Sequence, residues 1–595
     1  MCGICGEFNL KQGRASEGKI QTMLGPLARR GPDDQGCYFS GPMGMGHRRL
    51  AIIDLSPASR QPMVNHDQSL AIVFNGTIYN YPQLRQELQS LGVNFQSSGD
   101  TEVIMQAYRV WGEHCVKHLI GMFAFAIWDA QKKRLFVARD RLGIKPLYYA
   151  HTSESFLFAS NTQALLATGE INTEIDSQAL QHQLTLHAVI PAPRTILTGI
   201  RKLPPGHYMW VDEKGVGEAQ SYWQLSARRQ VQHTPQEWVY EIQQSLQTAV
   251  DRRLEIADVP VGVLLSGGLD SSLLVGLLAQ KYGQVKTYSV GFEDQPEERG
   301  HEFEYSDAVV EKFATDHQRF HIHNDQVLQR LPEAIMHMPE PMVAQDAVAF
   351  YLLAEQVSQD IKVVQSGQGA DELFAGYFWY PQMHGAEGDA LKRFAPYYFD
   401  RDFAEYAHTV NRQYVQQDYT SALVKQALEQ CQADTYIDSV LHFDVTTLIV
   451  DDPVKRVDSM TMAWGLEARV PFLDHELVEF AMTMPPEMKL ASGGKHVLKE
   501  ISRGLVPDTV IDRPKGYFPM PALKYVRGDF LNMVKDVLNS RACRERGVFA
   551  RDYVQRLLRE PDQHHTRLQG SKVWHMALLE MWLQTHIDGV SSPSP

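Results

Sequence analysis

VPVGVLLSGGLDSSLLVGLLAQK, residues 259–281, decides how this chain folds. It predicts a strand over Val259–Leu265, a turn through SGGLDSS at Ser266–Ser272, and a helix over Ser271–Lys281. Adjacent glycines, Gly267 and Gly268, let backbone N–H groups approach an anion closely, and a helix N-terminus adds positive potential. Ser266, Ser271 and Ser272 can add hydroxyl donors, and Asp270 is a carboxylate able to hold Mg²⁺. A glycine pair alone would equally suit an ordinary strand-to-helix turn. The Walker A pattern G-x-x-x-x-G-K-[ST] is absent, so a P-loop NTPase is not expected.

Downstream the alternation continues. Strands are expected at Lys286–Phe292, near Phe320 and at Ile361–Gln365, with a helix at Tyr305–Thr315 between them. Strand and helix in turn imply a parallel sheet flanked by helices. From about Phe394 the pattern is mostly helical, and the VSSPSP tail (589–595 with Gly589) is expected to be disordered. Upstream, residues 224–236 (QLSARRQVQHTPQ) are polar and aperiodic and read as a linker.

The segment 1–223 has a different texture. Short apolar strands are expected at Leu70–Phe74, Met122–Trp128 and Leu135–Ala138, with turn signals such as Asn75-Gly76 between them. Helices are expected at Tyr81–Leu91 and Thr101–Trp111, which makes this an α+β layered domain. The second unit spans 237–588. Two domains suit a chain of 595 residues, more than one core usually supports.

Composition removes several function classes. The formal net charge is -14 with no Lys/Arg-rich run, which disfavours a nucleic-acid surface. The longest apolar stretch, Leu119–Trp128, is too short to span a bilayer, and the N-terminus lacks a secretory pattern. Six cysteines are too few for a disulfide framework, so a reducing, cytoplasmic setting is expected, without membrane or nucleic-acid partners. Cys2 and Cys5 have C-x-x-C spacing, but no second pair completes a zinc site.

Cys2 follows the initiator Met. With Met1 removed it would carry a free α-amino group, whose pKa near ~8 suits a built-in base for its own thiol. Around it stand MCGICG (1–6), RRGPDDQG (29–36), GHRRLAIID (46–54), FNGTIYN (74–80), SGDTEV (98–103), GMFAFAIWD (121–129) and RDRLGIKPLYY (139–149). This series resembles the class II glutamine amidotransferases and implies an Ntn-hydrolase-type domain. By that resemblance Cys2 is the nucleophile, and Asn75 and Gly76 form the oxyanion hole. Arg49 holds the glutamine α-carboxylate, Asn75 also contacts glutamine, and Asp100 holds the α-ammonium. Relatives often carry Glu where Thr77 stands, which removes one expected glutamine contact.

SGGLDSS in turn resembles the PP-loop of enzymes that cleave ATP to AMP and pyrophosphate. SVGF (289–292), SGQGADELFAGY (366–377), MAWGLEARVPFLD (462–474) and GGKHVLKE (493–500) make the chain similar to the asparagine synthetase family, over nearly its whole length. The resemblance implies Asp270 and Asp371 as Mg²⁺–pyrophosphate ligands and Lys495 as the catalytic lysine. Ser266, Gly267, Gly268, Asp270, Ser271, Ser272, Val290, Ser366 and Gly367 would bind ATP. It implies ATP and Mg²⁺ as cofactors, with glutamine and a carboxylate acceptor as substrates and a homodimer as a compatible assembly.

The acceptor stays open between two. Aspartate is the family's default, but Gln368 stands where asparagine synthetases usually carry an acid. PMVAQDAVAFYLLAEQ (341–356), SGQGADE (366–372) and GSKVWHMALLEMWLQTH (570–586) resemble the branch that amidates N-acetylglutaminylglutamine, an osmolyte precursor, and the expectation leans that way. A non-synthesising regulatory or binding relative would have lost catalytic residues; Cys2, Asp270, Asp371 and Lys495 are all present.

Overall fold

The computed structural model describes residues 2–11, 13–513, 516 and 520–589. The N-terminal strands are β1 (Gly3–Asn9), β2 (Asp34–Ser40), β3 (Met43–Arg49), β4 (Met63–Val64), β5 (Leu70–Ile78), β6 (Gly121–Asp129), β7 (Arg134–Arg139), β8 (Tyr148–His151), β9 (Ser155–Ala159), β10 (Arg201–Lys202), β11 (His207–Asp212), β12 (Gly215–Val216) and β13 (Gln220–Ser221). They build two antiparallel sheets, β10-β8-β9-β1-β3-β2 and β12-β11-β7-β6-β5-β4, with β13 paired to β11.

The sequence of β5 and β6 explains the layering. Ala71, Val73, Ala124 and Ala126 face the other sheet and meet Ile4, Phe8, Met43 and Met45. The alternate residues Ile72, Phe74, Phe123 and Phe125 face Leu84 and Val103 of the helices Tyr81–Ser90 and Asp100–Trp111. Strands covered on both faces carry apolar residues at every position. A further helix, Glu17–Leu24, packs Ile20, Met23 and Leu24 against β1 and β3. Helix, sheet, sheet and helix stack in the Ntn-hydrolase manner.

One expectation is corrected here. Asn75-Gly76 is no turn; both residues lie inside β5 and pair with Ala124 and Phe123 of β6. The glycine answers to crowding. A Cβ on Gly76 would sit 2.1 Å from the Met122 carbonyl oxygen.

The second unit begins with the helix Pro235–Glu255, closed at its start by a reciprocal Thr234–Glu237 capping box. It then forms β14 (Val261–Leu264), β15 (Lys286–Phe292), β16 (Asp316–Ile322), β17 (Val363–Gln365) and β18 (Glu467–Arg469), all parallel in the order β16-β15-β14-β17-β18. The strand order reverses beside β14. The loops after β14 and β17 therefore open a crevice at the C-terminal edge of the sheet, where ligands of open α/β sheets bind. After Phe394 the chain is mostly helical, as expected, and β18 is the strand there among the described residues; three buried residues are too short to show a strand pattern.

The polar stretch 224–236 does not run free: Leu225 and Ala227 are buried, and Ala227 bridges to Ala433. Except for Gly589, the tail expected to be disordered lies outside the described residues. No helix among the described residues is long and apolar enough to cross a membrane.

The two units meet through buried charges. Asp458 receives Arg30 at 3.0 Å and Lys145 at 2.8 Å, and Lys202 reaches Asp451 at 2.8 Å and Glu340 at 3.1 Å. Removing one member of such a group leaves its partners charged and dry. Asp458→Ala should therefore cost about 3–5 kcal/mol of unfolding free energy, read from a denaturant titration. A loss well under 1 kcal/mol would show that water reaches the interface.

Candidate active sites

The loop from β14 into the helix Leu269–Tyr282 forms the floor of a cavity of about 760 Å³. Its conformation is set by hydroxyls and glycine. Ser266 Oγ accepts from the Gly268 amide at 3.2 Å, and Ser271 Oγ accepts from the Ser266 amide at 3.3 Å. Gly267 adopts φ +79°, and a Cβ there would lie 2.8 Å from the Ser306 nitrogen. Of the residues expected at the nucleotide, Ser266, Gly268, Asp270, Ser271, Val290, Ser366 and Gly367 line the cavity. Gly267 and Ser272 do not. Gly267 serves the backbone turn, and Ser272 is fully buried in the first turn of the helix.

Lys495 lies between the two carboxylates expected at the metal. Its Nζ is 2.6 Å from Asp270 Oδ2 and 2.8 Å from Asp371 Oδ1. Burial opposes its charge, but the two acids outweigh burial and hold its pKa above the ordinary lysine value. The backbone at Lys495 is left-handed (φ 55°) after Gly493 and Gly494, and its N–H is tied to the Phe374 carbonyl at 3.0 Å. A non-glycine residue held in that region carries strain that the surroundings must impose. Opposite, a Cβ on Gly376 would fall 2.1 Å from Asp371 Oδ1 and 2.2 Å from Lys495 Cε, so this wall has to be bare. Two carboxylates converging on one cationic centre beside a phosphate-type loop fit a hard, oxygen-seeking cation such as Mg²⁺.

A second chamber, about 200 Å³, continues from the first; Asp346, Tyr377 and Arg456 line both. Arg456 Nε meets Asp346 at 2.8 Å, and its guanidinium also pairs with Asp452. Asp444 and Asp452 reach the chamber from two π-helical segments, Asp444–Leu448 and Val450–Val454, a distortion frequent at functional sites. Burial pushes the Asp444 carboxyl well above the usual carboxylate range, and Tyr380 donates to it. At the chamber wall, His187 Nδ1 lies 3.0 Å and His575 Nδ1 3.4 Å from the buried Asp400 Oδ2. Nothing in the spacing of these residues signalled this grouping.

The other site gathers around Cys2. Cys2, Arg49, Gly76, Thr77 and Asp100 line one buried pocket. The Cys2 backbone N–H donates to Asn75 Oδ1 at 3.1 Å, while Asn75 Nδ2 has no hydrogen-bond partner among the described residues. That amide nitrogen is a buried donor on a side chain hydrogen-bonded to the Cys2 backbone, although Asn75 itself is not among the residues lining the pocket. Burial raises the thiol pKa, opposed by the Leu50 backbone and the Arg49 charge. Arg49 is braced by the Asp54 carbonyl at 2.5 Å and the Ser56 carbonyl at 3.2 Å. Asp100, at the start of its helix, accepts from the Ile78 amide at 3.1 Å; burial lifts its pKa to about 6. Among the lining residues not singled out from sequence, the charged one is Glu467, which reaches in from β18 of the second unit.

The asparagine synthase family matches residues 241–584, and the glutamine amidotransferase domain family matches residues 1–223. The chain is 31% identical to glutamine-hydrolysing asparagine synthetase 1 of Bacillus subtilis, over 99% of this chain and 97% of the relative. It is 28% identical to asparagine synthetase B of Escherichia coli, over 87% of this chain and 82% of that one. It is also 27% identical to the amidase chyE of Penicillium rubens, over 90% and 91% of the two chains.

The raised Asp100 carboxyl gives a pH signature. Only its ionised form attracts an ammonium, so kcat/KM for glutamine hydrolysis should fall as pH drops through about 6. A profile flat to pH 5, followed by glutamate release, would exclude Asp100 from ammonium capture.

Proposed function

Taking as premise that this chain belongs to the asparagine synthase family and carries a glutamine amidotransferase domain ahead of the synthetase unit, we propose that it amidates a blocked peptide carboxylate, N-acetylglutaminylglutamine, rather than aspartate. As a member it is a glutamine-hydrolysing carbon–nitrogen ligase that uses ATP. The observation that carries the acceptor reading is the chamber beside the nucleotide cavity. Its lining draws on the three stretches that resemble the dipeptide branch. Val343, Ala344, Gln345 and Asp346 come from the first, Glu372 from the second, and Gly570, Ser571, Trp574 and His575 from the third. Gln368, of the second stretch, lines the nucleotide cavity.

In the proposed reaction the Cys2 thiol gives its proton to the α-amino group of Cys2 as its sulfur attacks the glutamine side-chain amide. The oxyanion takes hydrogen bonds from Asn75 Nδ2 and the Gly76 N–H, which stabilises the tetrahedral intermediate. Collapse, with the proton returned from the α-ammonium to the leaving nitrogen, expels ammonia and leaves a γ-glutamyl thioester, which water hydrolyses to glutamate. In the second unit an acceptor carboxylate oxygen attacks the α-phosphorus of ATP and pyrophosphate leaves. Lys495 offsets the negative charge growing there. Asp270 and Asp371 would hold Mg²⁺, which when bound neutralises pyrophosphate charge. Ammonia then attacks the acyl carbon of the adenylate, the amide forms, and AMP departs.

Two outcomes test this. Cys2→Ala should abolish glutamine-dependent synthesis while synthesis from added ammonia continues, with ATP yielding AMP and pyrophosphate. Equal loss with both nitrogen donors, or ADP and phosphate as products, would contradict the division of labour.

For the acceptor, mass spectrometry of reactions offered each acid in turn should find the dipeptide amidated better than aspartate. Gln368→Glu should impair the dipeptide reaction, because it loses an NH₂ donor and sets a negative charge against an anionic acceptor. Efficient asparagine formation with no dipeptide turnover would defeat the reading.

A further inference from the structure

The pocket around Cys2 takes one wall from the other domain. Glu467, 1% exposed, stands at the start of β18 and lines the pocket with Cys2, Arg49 and Asp100. Its Oε1 accepts from Thr77 Oγ1 at 3.3 Å and from Arg469 Nε at 2.6 Å. Burial would raise the Glu467 pKa, but the adjacent Arg469 guanidinium outweighs it and keeps the carboxyl near about 2, so the group is an anion at any working pH.

The charges in the pocket are unequal. Among the described residues that line it, Arg49 is the one cationic side chain, facing two acids, Asp100 and Glu467, of which Glu467 is paired with Arg469 behind it. Glu467 is among the groups that push the Asp100 carboxyl up, so the two acids repel each other across the pocket. A ligand with one carboxylate and one ammonium suits this lining: the carboxylate goes to Arg49 and the ammonium settles between the two acids that repel each other. Thr77 cannot offer a charge to that ammonium. Its hydroxyl, as a donor, orients Glu467 instead.

We propose that Glu467 is a glutamine-binding residue supplied by the synthetase domain, which shares the substrate's α-ammonium with Asp100. This rests on the Cys2 pocket being the glutaminase site, so that premise is verified first. Wild-type enzyme should release glutamate from glutamine, and Cys2→Ala should not. Failure at that step would sink the glutaminase reading and leave Glu467 without a role.

Glu467 is then tested with two substrates, glutamine and glutaramate, which lacks the α-ammonium. The readout is the ratio of kcat/KM for glutamine to kcat/KM for glutaramate. Glu467→Gln should lower that ratio about tenfold or more, as expected when a hydrogen bond to a charged group is lost. Adding Thr77→Glu to that variant should restore it by returning a carboxylate to the pocket. If Glu467→Gln does not fold, Glu467→Asp keeps the charge but withdraws it by one methylene, and the ratio should fall in the same direction. A merely structural role would depress both substrates alike. An unchanged ratio in a folded variant overturns the proposal.

Discussion

A guanidinium taken fully out of water has to find its acceptors inside the protein, and Arg469 finds three, while its backbone carbonyl makes a fourth tie. Its Nε meets Glu467 at 2.6 Å, Nη1 donates to the carbonyls of Arg253 at 2.7 Å and Ile256 at 2.8 Å, and its own carbonyl accepts from the Ser366 amide at 2.8 Å. These contacts seat a three-residue strand against β17 and against the end of the helix Pro235–Glu255. They also link the two reaction sites. Glu467 walls the Cys2 pocket, and Ser366 lines the nucleotide cavity. Arg30 adds a parallel tie, donating to the Cys2 carbonyl at 3.3 Å while paired with Asp458. In the proposed reaction, ammonia made at one site and used at the other would need the two sites held in a fixed relation such as these contacts provide.

Electrostatics divides the labour between the sites. Around Cys2 the thiol is buried, the Asn75 amide nitrogen has no hydrogen-bond partner among the described residues, and two acids, Asp100 and Glu467, line the pocket. In the nucleotide cavity the reverse holds. Lys495 is already clamped by Asp270 and Asp371, and its left-handed backbone keeps it there. In the proposed reaction a phosphate chain entering that cavity would meet a cation positioned in advance, which would leave little reorganisation for the reaction.

Local features of this architecture were legible in the sequence. The β14–loop–helix unit could be read because hydrophobic periodicity and adjacent glycines act within a few residues, and β15 lies where its apolar run predicts. Asn75-Gly76 misled because a glycine demanded by a neighbouring strand looks like one demanded by a turn. Ser272 misled because a motif does not say which hydroxyls face inward. Glu467 was invisible for a different reason: Thr77 and Glu467 are 390 positions apart, and only the fold sets them side by side. The same holds for His187, Asp400 and His575 at the second chamber.

The account stands or falls on the acyl-adenylate that joins the two chemistries. The direct measurement labels the acceptor carboxylate with ¹⁸O and follows the label by mass spectrometry, using whichever acid the enzyme turns over. One ¹⁸O should appear in the phosphate of AMP, because the oxygen that attacked the α-phosphorus leaves with it. Recovery of the label in inorganic phosphate, with ADP and no labelled AMP, would contradict the account.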